Sequence, residues 1–204
     1  MSNDDVSPDL KWTEGIDKML SEWCDESKCF EWMHSEAYSR YNKLATAMTI
    51  GANVAISLSG IANLVLGATI TDTTTISIVF GCVSIGIGVV NMVQQQFAWT
   101  DMANTFRTSA NQWSNITRKI EEQVAIPPSG RKDCATFLKY LKQDIALVSI
   151  YNSSIPKDIR EKCHARFSAI PKFNVPDICG QMEHTSVYVA PVTNIDTSPP
   201  IENK

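Results

Sequence analysis

The sequence predicts an all-α protein: a transmembrane helical hairpin flanked by amphipathic helices that form a small bundle on the cytosolic side. Three observations predict it. Residues 44–100 carry one formal charge, Asp72. It divides them into two uncharged runs, 44–71 and 73–100, each well above the 18 or so residues that mark a membrane-spanning candidate. Outside those runs, apolar residues recur at helical spacings of three, four and seven. Lysines and arginines lie on both outer sides of the runs and are missing from the connector, the asymmetry the positive-inside rule describes.

The 204 residues carry a net charge of −4 that hides an uneven distribution. Residues 1–36 hold ten acids against Lys11, Lys18 and Lys28, whereas 131–172 hold nine Lys/Arg against four acids. The basic stretch suits the acidic segment, acidic lipid or an acidic protein surface; without aromatic interleaving it gives no reason to expect a nucleic-acid partner. Six scattered cysteines, one of them inside an apolar run, are unlike the dense framework of a small secreted domain, so reduced thiols are expected. The first thirty residues are acidic and lack an apolar signal region, which leaves the first span to act as its own signal anchor.

Residues 1–8 read as a flexible start. Over 9–43, Ile16, Leu20, Trp23 and Phe30 repeat at helical spacing, with Gly15 and Asp25-Glu26-Ser27 as expected breaks between amphipathic helices. Trp32, Tyr38, Arg40, Tyr41 and Lys43, with Trp99 at the end of the second run, form an expected membrane-interface belt. The competing reading puts these aromatics in a bundle core, and for Trp12 and Trp23 that reading is preferred. The hairpin fills 44–100. As a helix, each of its runs, 44–71 and 73–100, reaches roughly 40 Å, enough for a ~30 Å hydrocarbon core. The short polar connector Thr71-Asp72-Thr73-Thr74-Thr75 forces the two antiparallel. A soluble bundle would instead have to bury two adjacent helices that are apolar on every face, which a chain of this size does poorly.

Small residues repeat along both runs: Ala52, Ala55, Ser59 and Ala62 on the first, and Ser77, Gly81, Ser84, Gly88 and Asn91 on the second. They read as helix-packing faces, because small side chains let membrane helices approach closely. A pore lining in a homo-oligomer is the sharper alternative. Lys28, Arg40 and Lys43 precede the spans and Arg107, Arg118 and Lys119 follow them, so both termini are expected on the cytosolic side. The sequons Asn115-Ile116-Thr117 and Asn152-Ser153-Ser154 would then stay unmodified.

Residues 101–170 form the expected helical C-terminal region. A stripe of Ala103, Phe106, Ala110, Trp113, Ile120 and Val124 either continues the second span or begins a new helix, and Pro127-Pro128-Ser129-Gly130 ends it. A further helix over 131–151 turns Cys134, Leu138, Leu141, Ile145 and Val148 inward. A short basic helix over 157–168 follows Pro156. Residues 171–204 are Pro-rich, expected to be irregular and suited to lie along a partner.

Chemistry has few candidates. Cys24, Cys29 and His34 are spaced five and five; on one helix such steps rotate by about 140° and do not converge on a metal. Cys163-His164 fails through adjacency. There is no Gly-rich phosphate loop, no His-Glu-x-x-His and no nucleophile–base pair. No catalytic, cofactor-binding or metal site is expected, and no enzymatic activity.

Trp12-Thr13, Trp23, Cys29-Phe30-Glu31-Trp32-Met33-His34 and Tyr38/Tyr41 nevertheless follow a pattern. So do Ser57-Leu58-Ser59-Gly60-Ile61-Ala62-Asn63, Pro128/Arg131, Phe137-Leu138, Tyr151, Ile155-Pro156 and Phe167. Together they resemble a family of two-transmembrane virion membrane proteins of large eukaryotic DNA viruses, over about residues 12–173. That family is similar in architecture to the SLATT group of two-transmembrane domains, proposed as pore-forming effectors. The family's Ile-Pro at the start of the first span is Ile50-Gly51 here, and its Tyr-Asp is Tyr151-Asn152. The resemblance implies a structural protein of an internal virion membrane derived from endoplasmic reticulum, its C-terminal region and tail facing capsid or minor capsid proteins. An oligomeric pore or membrane-perturbing effector is the alternative.

Overall fold

The computed structural model describes residues 10–69, 73–150 and 155–180. The described residues form five α-helices, α1 (Glu14–Thr69), α2 (Thr73–Phe97), α3 (Trp99–Val124), α4 (Cys134–Ser149) and α5 (Lys157–Phe167), with 3-10 turns at Pro128–Gly130 and Asp177–Cys179. Among them there is no strand. The expected connector at Asp72 and the tail beyond Gly180 lie outside the described residues.

α1 begins where Thr13 accepts a hydrogen bond from the Ile16 backbone N–H at 3.3 Å, with Glu14 and Asp17 at its positive end. It then runs 56 residues without interruption. This corrects the expected breaks at Gly15 and Asp25-Glu26-Ser27. The Ser27 hydroxyl donates back to the Trp23 carbonyl at 2.7 Å, so its polar group is satisfied inside the helix. Asp25 and Glu26 accept from the Asn174 backbone and side-chain amides, at 3.3 and 3.1 Å, rather than from a local turn. α1 also runs through residue 43, where the expected amphipathic and transmembrane regions meet.

The alternatives for residues 98–101 are decided by Ala98. Its φ of 43° and ψ of 40° are left-handed, a conformation that costs a non-glycine residue roughly 1 kcal/mol. It separates α2 from α3, so α3 is a new helix.

The antiparallel pairing of α3 with the first half of α1 follows from the partners. Lys28 pairs with Glu121 at 2.8 Å, Phe30 stacks on Trp113 at 4.7 Å and Tyr41 stacks on Phe106 at 5.4 Å, so numbers rise on α1 as they fall on α3. Two clusters fill this head. The outer one joins Leu20 and Cys24 to Trp113, Ile116, Ile120, Cys134, Leu138, Leu141 and Val148, with Trp12 and Trp23 against it. The inner one joins Cys29, Met33, Ala37 and Phe106 to Ile155, Ile159, Cys163 and Cys179. Phe30 touches both. On α4, Cys134, Leu138, Leu141 and Val148 are buried as the stripe predicts, with Ile145 partly so. On α3, Val124 is exposed and the polar Ser109, Thr117 and Gln123 are buried.

Arg131 closes the far end of the head. Only 5% of its side chain is exposed, and its guanidinium donates to the Ile126 carbonyl at 2.7 Å and to the Asp17 carboxylate while lying 4.9 Å from the Trp12 ring centre. It satisfies a carbonyl beyond the end of α3 and ties the α3–α4 loop to the start of α1. Gln123 accepts from the Lys132 N–H, and Asp133 caps α4 by accepting from the Thr136 N–H at 2.9 Å, which holds its carboxyl below the usual range.

Candidate membrane-binding surface

From Leu44 onward the environment of α1 changes. Leu44, Ile50, Val54, Ile56, Leu58 and Ile61 are exposed, and on α2 so are Ile78, Val79, Val83, Ile85, Val89, Met92 and Phe97. A soluble monomer rarely exposes a contiguous apolar patch beyond a few hundred Å², so a surface of this kind marks contact with lipid or another protein. Among the described residues α1 is the one helix long and apolar enough to cross a membrane, and only 11% of its apolar window is buried. Gly81–Val90 is a shorter apolar stretch of α2. Ser57 donates to the Asn53 carbonyl at 2.9 Å, which keeps a polar group satisfied within the helix.

The residues expected to pack the spans divide into two groups. Ala52 is buried, and Ala55 and Ser59 are half-buried. Gly81, Ser84 and Gly88 are exposed, and a Cβ added at either glycine would meet nothing within 4 Å. The small-residue face of α2 is therefore open along this stretch. The side chains of Ala62, Ser77 and Asn91 lie outside the described residues.

The expected interface belt is largely tied into the head. Trp32 meets the Phe167 ring edge-on at 5.9 Å and faces the Arg166 guanidinium at 5.5 Å. Tyr38 lies 5.9 Å from the Arg107 guanidinium, and Tyr41 stacks on Phe106. One guanidinium nitrogen of Arg40 donates to both carboxylate oxygens of Asp158, at 2.9 and 2.8 Å. Lys43 is exposed, and Trp99 stacks on Phe97 beside the α2–α3 break. Core packing and an aromatic belt both need rings at helical spacing, and the spacing alone does not separate them.

No group of three His, Cys, Asp or Glu side chains among the described residues is arranged to hold a metal ion. Cys24 belongs to the outer cluster and Cys29 to the inner one, with His34 buried at 5.7 Å from Phe106. Sequence reasoning did not anticipate the meeting of Cys29, Cys163 and Cys179 in the inner cluster. Each is inward on its own element, but only the tertiary fold makes them neighbours. The hydrogen bond with Cys179 lowers the Cys163 pKa; the bond with Cys29, burial and the Cys29 charge outweigh it, and the thiol is pushed up to about 12. The bond with Cys163, then burial, raises Cys179 as well. Burial raises Cys24 and Cys134. Glu26 is raised by burial, then by Asp177 and Glu22, against the Asn174 hydrogen bond.

Several clefts open on the head. One of about 330 Å³ between α3 and α4 is lined by Lys119, Gln123, Phe137, Tyr140 and Asp144, and Lys119 is paired with Asp144 at 2.7 Å. Another, about 360 Å³, is walled by Trp23, Phe30, Trp113 and Ile145. On the outer side of α4, Tyr140, Leu147 and Ile150 are exposed. Spaced seven and three apart, they form a second apolar stripe. Compared with known protein families, curated proteins and solved structures, the chain matches none.

Proposed function

We propose that the protein is a structural membrane anchor: α1 beyond residue 44 and α2 form a transmembrane hairpin that holds the helical head against one face of the bilayer. The observation that carries this reading is the change of surroundings along α1, from a sealed core at Met33 and Ala37 to bare Ile50, Val54 and Leu58 in one continuous helix. Water solvates such a surface poorly, and lipid does so at no cost in unpaired backbone groups, because a helix satisfies its own. The head offers the Tyr140–Leu147–Ile150 stripe as a contact for a second protein. The resemblance noted above makes that partner a capsid or minor capsid protein and the membrane an internal virion membrane, with both termini facing the shell. No catalysis is assigned.

The test is twofold. The chain should stay with the membrane pellet after an alkaline carbonate wash, and a protease added from the head side should cut the tail and spare the connector at Asp72. Release into the supernatant removes the membrane reading. Finding the chain in the membrane fraction of purified particles supports the virion assignment, and its absence there removes that assignment alone.

The open face of Gly81, Ser84 and Gly88 favours a second reading, an oligomeric pore in which α2 helices of several copies meet. Dye release from liposomes separates the two: an anchor leaves the dye enclosed, whereas a pore releases it and loses that property on Ser84→Leu.

A further inference from the structure

We propose that Cys163 and Cys179 are a disulfide-forming pair, a covalent modification site that staples the segment 168–180 onto α5. The inference is independent of the membrane reading. Cys163 on α5 lies in the buried inner cluster with Cys29 and Cys179. Cys179 also donates to the Met33 thioether at 3.3 Å. A separate observation brings the same two stretches together: a Cβ added at Gly180 would sit 2.9 Å from the His164 ring, so the chain passes tightly over α5 beside Cys163.

Noncovalent contacts hold this segment, with Phe173 and Val175 packed against the inner cluster. Phe173 stacks on Phe167 at 5.2 Å, Asn174 bonds Asp25 and Glu26, and Lys172 takes a left-handed φ of 62°. Cys29 and Cys163 sit on α1 and α5, whereas Cys179 sits on the short segment after α5; all three are buried, so a reagent reaches them only through local opening.

With both thiols protonated in their buried setting, oxidation proceeds from the locally opened state. There the Cys179 thiolate attacks a small-molecule disulfide such as oxidised glutathione, forming a mixed disulfide and releasing one glutathione thiolate. The Cys163 thiolate then attacks the Cys179 sulfur and expels the second. Two electrons pass to the donor disulfide, and the two protons end on the two glutathione thiols. The new bond closes a loop over residues 163–179 and limits the segment's opening.

The full chain in detergent, incubated with excess oxidised glutathione at about pH 8, tests this. The intact mass should fall by about 2 Da, for the two hydrogens given up. Trypsin should yield residues 163–166 linked to 173–204, separable by reductant. Cleavage after Lys172 should be at least ~10-fold slower in the oxidised protein, since the staple restricts local opening. Cys179→Ser should abolish the mass loss, and Cys24→Ser, Cys82→Ser and Cys134→Ser should leave it intact. Six alkylatable thiols after incubation, or a cross-link between Cys29 and Cys163 in the native chain, overturns the assignment.

Discussion

In the first half of α1, Leu20, Cys29, Met33 and Ala37 are sealed between α3, α4 and α5; in the second, Ile50, Val54, Leu58 and Ile61 stand bare on the same helix. Both halves are rich in apolar residues, and neither has a cap or breaker to separate it from the other. The difference lies in what surrounds the apolar residues. The first half alternates them with Lys18, Glu22, Lys28 and Glu36, so one stripe packs and the rest meets water. The second half has no charged residue with which to do so. In the proposed anchor one backbone serves two solvents, and a substitution should act through the solvent of its own half.

The largest expected effect is in the head. Ile120→Ala opens a cavity in the outer cluster and should cost about 2–5 kcal/mol of head stability, read by thermal unfolding in detergent, with membrane partitioning unchanged. In the arm the readouts should exchange. Val54→Arg or Ile85→Arg should each disfavour insertion by about 2.5–3.5 kcal/mol if the site lies at mid-bilayer, seen as loss from floated liposomes, while the head's melting temperature stays put. If Val54→Arg instead unfolds the head and leaves flotation alone, the contrast between the halves is wrong.

Between the regions, Ala98→Gly should stabilise by about 0.5–1 kcal/mol, since glycine adopts the left-handed break without the Cβ clash. Loss of stability there would mean that α2 and α3 run on unbroken. The smallest effect is at Glu26. Its folded pKa is raised, so the folded state binds protons more readily than the unfolded one, and stability is gained as pH falls through the folded pKa. Glu26→Gln should accordingly stabilise the head by a few tenths of a kcal/mol at neutral pH, after allowing for solvent screening, and by nothing once Glu26 is protonated. A gain that persists at acidic pH would show a packing effect instead.

The helical class, the α4 stripe and the helix after Pro156 were legible because each rests on local periodicity or a local stop. The continuity of α1 was not, because Ser27 bonds backward within the helix and Asp25 and Glu26 find their partner in Asn174, far along the chain. Nothing local distinguishes Ala98 from a helix interior, where alanine is the most favoured residue. Trp32 and Tyr41 satisfied the periodicity of both a belt and a core, and their contacts are with Phe167 and Phe106 in the head. The thiol cluster left no sequence signal, since Cys29, Cys163 and Cys179 share no motif and meet only once α5 and the following segment have docked.

A helix that leaves the head without a joint has a mechanical consequence in a bilayer. Apolar segments longer than the hydrocarbon thickness tilt to fit it. Because α1 is unbroken across residue 44, tilt of the arm in the proposed anchor would turn the head with it. The second limb is divided at Ala98. On that reading, membrane thickness would set the direction in which Tyr140, Leu147 and Ile150 face.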